Sequence, residues 1–178
     1  MQELSLHILD IVENSFRAKA RFVQIKVEEI DKEDKLIIEI KDDGEGMDKK
    51  MLKRASDPFV TTKSAKKVGL GLSLLRQSAL NCNGEFKIHS VEGKGTCIRV
   101  VFKYSHIDRP PMGDLKTTIL GLIVAHPDKN FLFCYKKNGR EFVLDTGEIK
   151  KILGPEVQIN HPEVISYLDR ELKGIGKK

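Results

Sequence analysis

Residues 41–50, KDDGEGMDKK, carry two aspartates, two glycines and a glutamate in five consecutive positions, 42–46, at the end of the apolar run 36–40. Asp-Gly makes a good turn, because glycine takes positive φ without steric cost and aspartate hydrogen-bonds its own backbone. The same five residues also fit the pattern D-x-G-x-G, with Asp42, Gly44 and Gly46 at the fixed positions. Which reading holds depends on what surrounds the stretch.

Working outward, KLIIEIK before it and FVQIKVEEI earlier still are two strands joined by DKED. In the first of these, Val23, Ile25 and Val27 alternate with Gln24, Lys26 and Glu28, the period of a half-buried strand. Upstream, residues 3–19 read as an amphipathic helix, with Ile8, Leu9, Ile11, Val12 and Phe16 on its apolar side and Asp10, Asn14 and Arg17 in a polar stripe. Downstream, Asp48 caps a short helix to about residue 55, and residues 57–68, DPFVTTKSAKKV, read as a loop with three lysines. GLGLSLLRQSALNCNG is then an apolar helix ending at Asn83-Gly84, followed by a second hairpin, EFKIHSV and TCIRVVFKY. Two hairpins with helices on one face make an α+β two-layer sandwich.

The remainder divides into a linker, 105–113, containing Pro110-Pro111, and a small mixed α/β extension over 114–178. In that extension 114–126 suits a helix, although its β-branched residues leave a strand open; a hairpin turns at Asn138-Gly139, and two short helices follow, the second opening at Pro162. The expected organisation is therefore a domain over 1–104, the linker, and the extension. Ile119 and Leu122, together with Val60 of the loop, are expected to form a surface that a partner reads.

The 178 residues carry a net charge of +5 with both signs interspersed, which gives no nucleic-acid footprint. Three cysteines, an odd number with no C-x-x-C pair, fit reduced thiols in the cytoplasm. No stretch approaches the roughly 20 apolar residues of a membrane span. The N-terminus has no basic leader, and the five histidines form no zinc-like cluster.

Three groups of residues point to chemistry. Asp42, at a strand end, can accept a hydrogen bond from the exocyclic amine of adenine, while Gly44 and Gly46 let the backbone approach a flat base. VGLGLSLL, residues 68–75, puts glycines before and inside a helix start, where exposed N–H groups and the helix dipole favour phosphate. On the first helix, the Asn14 oxygen suits Mg²⁺, Asp10 one turn earlier can orient or deprotonate a water, and Arg17 one turn later can meet a phosphate. Glu13 points about 60° away from Asp10 round the helix. His7 lies on the same stripe and reads as an exposed histidine at a helix start.

Taken in order, these segments resemble the ATPase superfamily of DNA gyrase, the heat-shock chaperone, sensor histidine kinases and mismatch-repair proteins, known as GHKL. DIVENSFRAKA resembles its asparagine box, DDGEGM its first glycine box, DPFVTTKSAKKVGLGLSLL the lid and second glycine box of histidine kinases, and EGKGTCIRVVF the final box. The resemblance covers about residues 3–103. It implies a Bergerat-type fold and Mg-ATP as ligand, with Asp42 and Thr96 at the adenine, Asn14 on the metal and Asp10 as the catalytic candidate. It also implies cofactor contacts from Arg17, Gly44, Gly46 and Met47, and from the lid and second glycine box at Thr62, Lys63, Lys67, Gly69, Leu70, Gly71 and Leu72. The lid, 57–68, is expected to order on ATP more than on ADP.

Asp10 stands where hydrolysing members usually have glutamate, one methylene longer, so binding is implied more firmly than hydrolysis. Lys67 stands where a kinase lid often has another glycine. The asparagine box begins almost at Met1, which leads to the expectation that the helical hairpin carrying the phosphoacceptor histidine of a sensor kinase is lacking. The functions implied are an ATPase or trans-acting protein kinase in a cytoplasmic regulatory system, a nucleotide-gated protein-binding module, or a serine kinase in the manner of anti-sigma factors. Each has an unidentified protein partner or phosphoacceptor and involves neither nucleic acid nor membrane.

Overall fold

The computed structural model describes residues 3–56 and 70–176. Helix α1 (Leu4–Arg17) opens the chain, followed by β1 (Phe22–Ile30), a 3-10 turn and β2 (Lys35–Asp42). Helices α2 (Lys49–Ser56) and α3 (Leu70–Asn81) precede the hairpin β3 (Glu85–Val91) and β4 (Gly95–Lys103). Then come α4 (Leu115–Ala125), the hairpin β5 (Asn130–Lys137) and β6 (Arg140–Asp145), α5 (Thr146–Leu153) and α6 (Pro162–Glu171). The Asp48 carboxylate caps α2 by accepting the Met51 N–H at 2.7 Å.

All six strands join one sheet in the order β3-β4-β2-β1-β5-β6. Every pairing is antiparallel except that of β5 with β1, which is parallel and sets Phe131 beside Val23 and Phe133 beside Ile25. The alternation read in the sequence decides the faces. Val23, Ile25 and Val27, Leu36, Ile38 and Ile40, and Phe131 and Phe133 are buried in one apolar core with α1, α3 and α4. The other face carries charge, as in the row Lys26, Glu39 and Arg99 across β1, β2 and β4. The sheet therefore has helices on one side and solvent on the other, the two-layer α+β arrangement.

The extension does not build a sheet of its own. Its hairpin lengthens the edge at β1, and Phe131 meets Phe16 of α1 edge-on, with ring centroids 5.4 Å apart. Residues of the linker are fixed to the start of α1, where Leu4 N–H donates to Pro111 O at 2.9 Å and Ser5 N–H to Met112 O at 2.8 Å. Residues 115–125 are helical despite their β-branched content, because Asp114 caps them through the Thr117 N–H and their apolar residues enter the core. Ile119 and Leu122 are buried there, which removes them as a partner-reading surface. Val60 lies outside the described residues, as does the expectation of a lid over 57–68.

A shared core predicts a shared transition. Phe131→Ala is expected to cost about 3–5 kcal/mol. In urea, the variant and the wild type should each unfold in a single cooperative step by circular dichroism and by a probe attached to the extension. Two separated transitions would contradict the common core.

Candidate functional site

Asp42 ends β2 and is 8% exposed. Three donors converge on its carboxylate. The Ser15 hydroxyl donates to Oδ2 at 2.8 Å, and the main-chain N–H groups of Gly44 and Thr96 donate to Oδ1 at 2.9 and 3.2 Å. The Ser15 proton is shared with Ile11 O at 3.1 Å, the back-bond usual for a helical serine. A carboxylate offers about four acceptor positions, so Oδ2 keeps capacity for one more donor. Asp42 is thus a buried acceptor, positioned by α1, by its own turn and by β4.

The turn after Asp42 threads between neighbours that leave no room for side chains. A Cβ on Gly44 would lie 2.7 Å from Ala18 O, and one on Gly46, which sits at φ +65°, would lie 2.1 Å from Val91 O. Glu45 N–H donates to Ala18 O, and Gly93 N–H donates to Glu45 O. Met47 N–H donates to the Ser90 hydroxyl at 2.8 Å, and that hydroxyl lies 2.8 Å from Thr96 Oγ1. The first glycine stretch is therefore stitched to both α1 and the β3–β4 hairpin.

The polar stripe of α1 runs beside this turn. Arg17 Nη1 donates to Asn14 Oδ1 at 3.2 Å. Asp10 is exposed and faces the first turn of α3, where a Cβ on Gly71 would lie 3.0 Å from Asp10 Oδ2. Leu72 is buried behind it. The start of α3, the positive end of its dipole, thus abuts Asp10 on the stripe. Thr62, Lys63, Lys67 and Gly69 lie outside the described residues, and Leu70 enters only as the first residue of α3. Glu13 is turned off the stripe and pairs with His126 of the extension at 2.8 Å.

His7 corrects the reading of an exposed histidine. It is 2% exposed, its Nδ1 is buried without a hydrogen-bond partner, and it sits under α3 near Asp10 and the Gly71 backbone. Burial pushes its pKa below 6.5, against the opposing pull of the Asp10 charge and the Gly71 contact. The apolar residues at 4, 8 and 11 already placed that side of α1 inward, but the helix that covers it comes from more than 60 positions later. Ser15 and Ser90 were missed altogether. Ser15 had one available signal, a hydroxyl one turn after Ile11 on the inward side of the helix.

Among the described residues no group of three or more His, Cys, Asp or Glu is arranged to hold a metal ion. A cation here would rest on the Asn14 oxygen, waters and a ligand's own oxygens, which is the habit of Mg²⁺ rather than of zinc. No helix among the described residues is long and apolar enough to cross a membrane.

Residues 2–106 match the family model described as histidine kinase-, DNA gyrase B-, and HSP90-like ATPase. Sporulation kinase C of Bacillus subtilis (strain 168) is 31% identical over 99 residues, covering 56% of this chain and 23% of that kinase. Sensor protein kinase FleS of Pseudomonas aeruginosa is 34% identical over 94 residues, covering 53% of this chain and 23% of that kinase. The matched segment therefore spans about a quarter of the length of each kinase. In fold, the Aquifex aeolicus MutL ATPase domain complexed with ADP is similar at a TM-score of 0.52 and 17% identity, over 82% of this chain and 63% of that one.

His7 yields a pH prediction. Its folded pKa is below the unfolded 6.5, so the unfolded chain binds the proton first as pH falls. The stability that neutral His7 contributes is complete above about pH 6.5 and is lost as pH drops toward the folded value. Urea midpoints at about pH 7 and about pH 5 should therefore fall further apart in wild type than in His7→Leu. Equal losses in the two proteins would contradict this burial.

Proposed function

The chain belongs to the histidine kinase-, DNA gyrase B- and HSP90-like ATPase family, and we propose that it binds Mg-ATP through Asp42 and Asn14 and acts as an ATPase or trans-acting protein kinase in a cytoplasmic regulatory system. Residues 2–106 form an ATP-binding, histidine-kinase-like ATPase domain. The observation that carries the finer reading is the Asp42 carboxylate, buried, held by three donors, and retaining acceptor capacity on Oδ2. An adenine amine is a partner that such an acceptor suits.

Asn14 supplies a neutral oxygen one turn from Asp10 along α1. Mg²⁺, when bound, would neutralise charge on the nucleotide's phosphates. The first turn of α3 would receive phosphate oxygens at its N–H groups, and Asp10 would hold or orient a water. Arg17, which reaches Asn14 Oδ1, would fix that amide's orientation and offer its remaining N–H groups to a phosphate.

A second reading is a nucleotide-gated protein-binding module with little catalysis. It is favoured by Asp10, whose carboxylate is one methylene shorter than the glutamate that hydrolysing members usually carry, and which must therefore reach further to meet a water. Three free cysteines support a reducing compartment under either reading.

Two substitutions test the ligand site and one assay separates the readings. Asp42→Asn replaces a pure acceptor by an amide that can present a donor to the adenine amine. The mismatch costs about 1–3 kcal/mol, so calorimetry should show ATP bound about 5- to 150-fold more weakly. Undiminished affinity would remove Asp42 from the site. Asn14→Ala keeps the helix, since alanine is the better helix former. It should shrink the gain in ATP affinity on adding Mg²⁺; an unchanged gain would move the metal elsewhere. In single turnover with labelled ATP, slow release of phosphate supports the ATPase, transfer to a partner supports the kinase, and intact ATP supports the gated module.

A further inference from the structure

The far end of the sheet, opposite the edge that carries Asp42, holds a cavity of about 600 Å³ between the ends of β1, β4 and β5, the linker and Gly176. That volume lies within the range of small-molecule sites, roughly 300–1,000 Å³. At its base is Glu29, a carboxylate 4% exposed where the inward alternation of β1 otherwise places Val23, Ile25 and Val27. Glu29 is fully engaged. The Tyr135 hydroxyl donates to Oε1 at 2.8 Å, the Tyr104 hydroxyl to Oε2 at 3.1 Å, and Lys137 Nζ pairs with Oε2 at 3.0 Å. The Glu29 charge is thereby matched by Lys137.

Arg109 is not matched in this way. Its Nε donates to Tyr104 O at 2.7 Å and its Nη1 to Pro110 O at 3.0 Å, and its guanidinium carbon lies 4.9 Å from the centroid of the Tyr104 ring. These contacts hold the side chain still, yet they are to neutral groups. Among the described residues no carboxylate forms an ion pair with it. The wall of the cavity thus carries one fixed positive charge without an ion-pair partner among the described residues, flanked by Ser105, whose hydroxyl donates to Asp34 Oδ2 at 2.7 Å, and by the apolar side chains of Ile107 and Met112.

From this arrangement we infer that the cavity is a second ligand site, separate from the nucleotide site, for a small organic monoanion with an apolar body. Arg109 receives the carboxylate or phosphodiester through its remaining N–H donors, and the body lies against Ile107 and Met112. A guanidinium already oriented by two main-chain carbonyls and a ring loses little freedom on binding and presents a planar fork suited to either oxyanion. A cation is disfavoured because the acid present, Glu29, is saturated by three donors. A dianion would leave the cavity with surplus negative charge next to Glu29.

The test uses the full chain, ¹⁵N-labelled, with benzoate and the phosphodiester methyl phenyl phosphate as monoanionic probes and benzyl alcohol as their neutral counterpart. Each is titrated to about 10 mM, enough to fill a site of about millimolar affinity. The Arg109 Nε–H signal and the amides of residues 105–113 should shift saturably with at least one anion and not with benzyl alcohol. Benzoate acting alone assigns the site to carboxylates, and methyl phenyl phosphate binding the more tightly assigns it to phosphodiesters. Arg109→Gln should weaken binding by about tenfold or more, with the signals of residues 42–47 unmoved. Ile107→Asp, at a side chain 91% exposed and so dispensable to folding, puts a negative charge on the rim and should weaken both anions. No saturable shift with either anion, an equal response to benzyl alcohol, or undiminished binding in both variants would overturn the proposal.

Discussion

The carboxylate of Asp42 is the point on which the site depends, because it ties α1 and the glycine turn to the paired strands β2 and β4. Ser15 brings in α1, Gly44 closes the turn that follows, and Thr96 brings in the start of β4. A buried carboxylate is costly unless its oxygens are satisfied, so these donors are what allow it to sit at the end of β2. The same geometry presses the glycine turn against Ala18 and Val91, where a Cβ has no room. The proposed base-reading group and the local architecture thus share one arrangement of atoms.

Around that point the sheet acts as a ruler. The edge carrying Asp42 faces the polar stripe of α1 and the first turn of α3, while the opposite edge, through Glu29, gathers Tyr104, Tyr135 and Lys137. β1 contributes to both, since Val23 pairs with Asp42 and Glu29 lies six residues further along the same strand. The extension adds two strands beside β1 and seats Phe131 on Phe16, so the helix bearing Asn14 is braced from the tail as well as from the sheet. The His126–Glu13 pair, with His126 tilted over Phe16 at 4.4 Å, tightens the same contact.

What was legible in the sequence was whatever local periodicity controls. The alternation of Val23, Ile25 and Val27 gave β1, the 3.6-residue spacing of Ile8, Ile11 and Val12 gave α1, and Asn138-Gly139 gave the last hairpin. Long-range matters were not legible in this way. FLFCYKK reads as a strand, but nothing in it states that it will lie parallel to β1, because that register is decided by where α4 delivers the chain. His7 looks exposed until α3 covers it. Ile119 and Leu122 look like a free face until the core takes them in. Ser15 donates to a carboxylate 27 positions away and Ser90 accepts from the Met47 N–H 43 positions away, and a lone serine carries no pattern that reveals such a partner.

The central claim, that the Asp42 carboxylate reads the base, is tested most directly by nucleotide selectivity in the unaltered protein. Guanine presents a carbonyl oxygen where adenine presents its amine, so GTP would set acceptor against acceptor at a buried site. Calorimetry with ATP and GTP under the same Mg²⁺ concentration should show GTP bound more weakly by on the order of tenfold or more. Equal affinity for the two nucleotides would contradict the account.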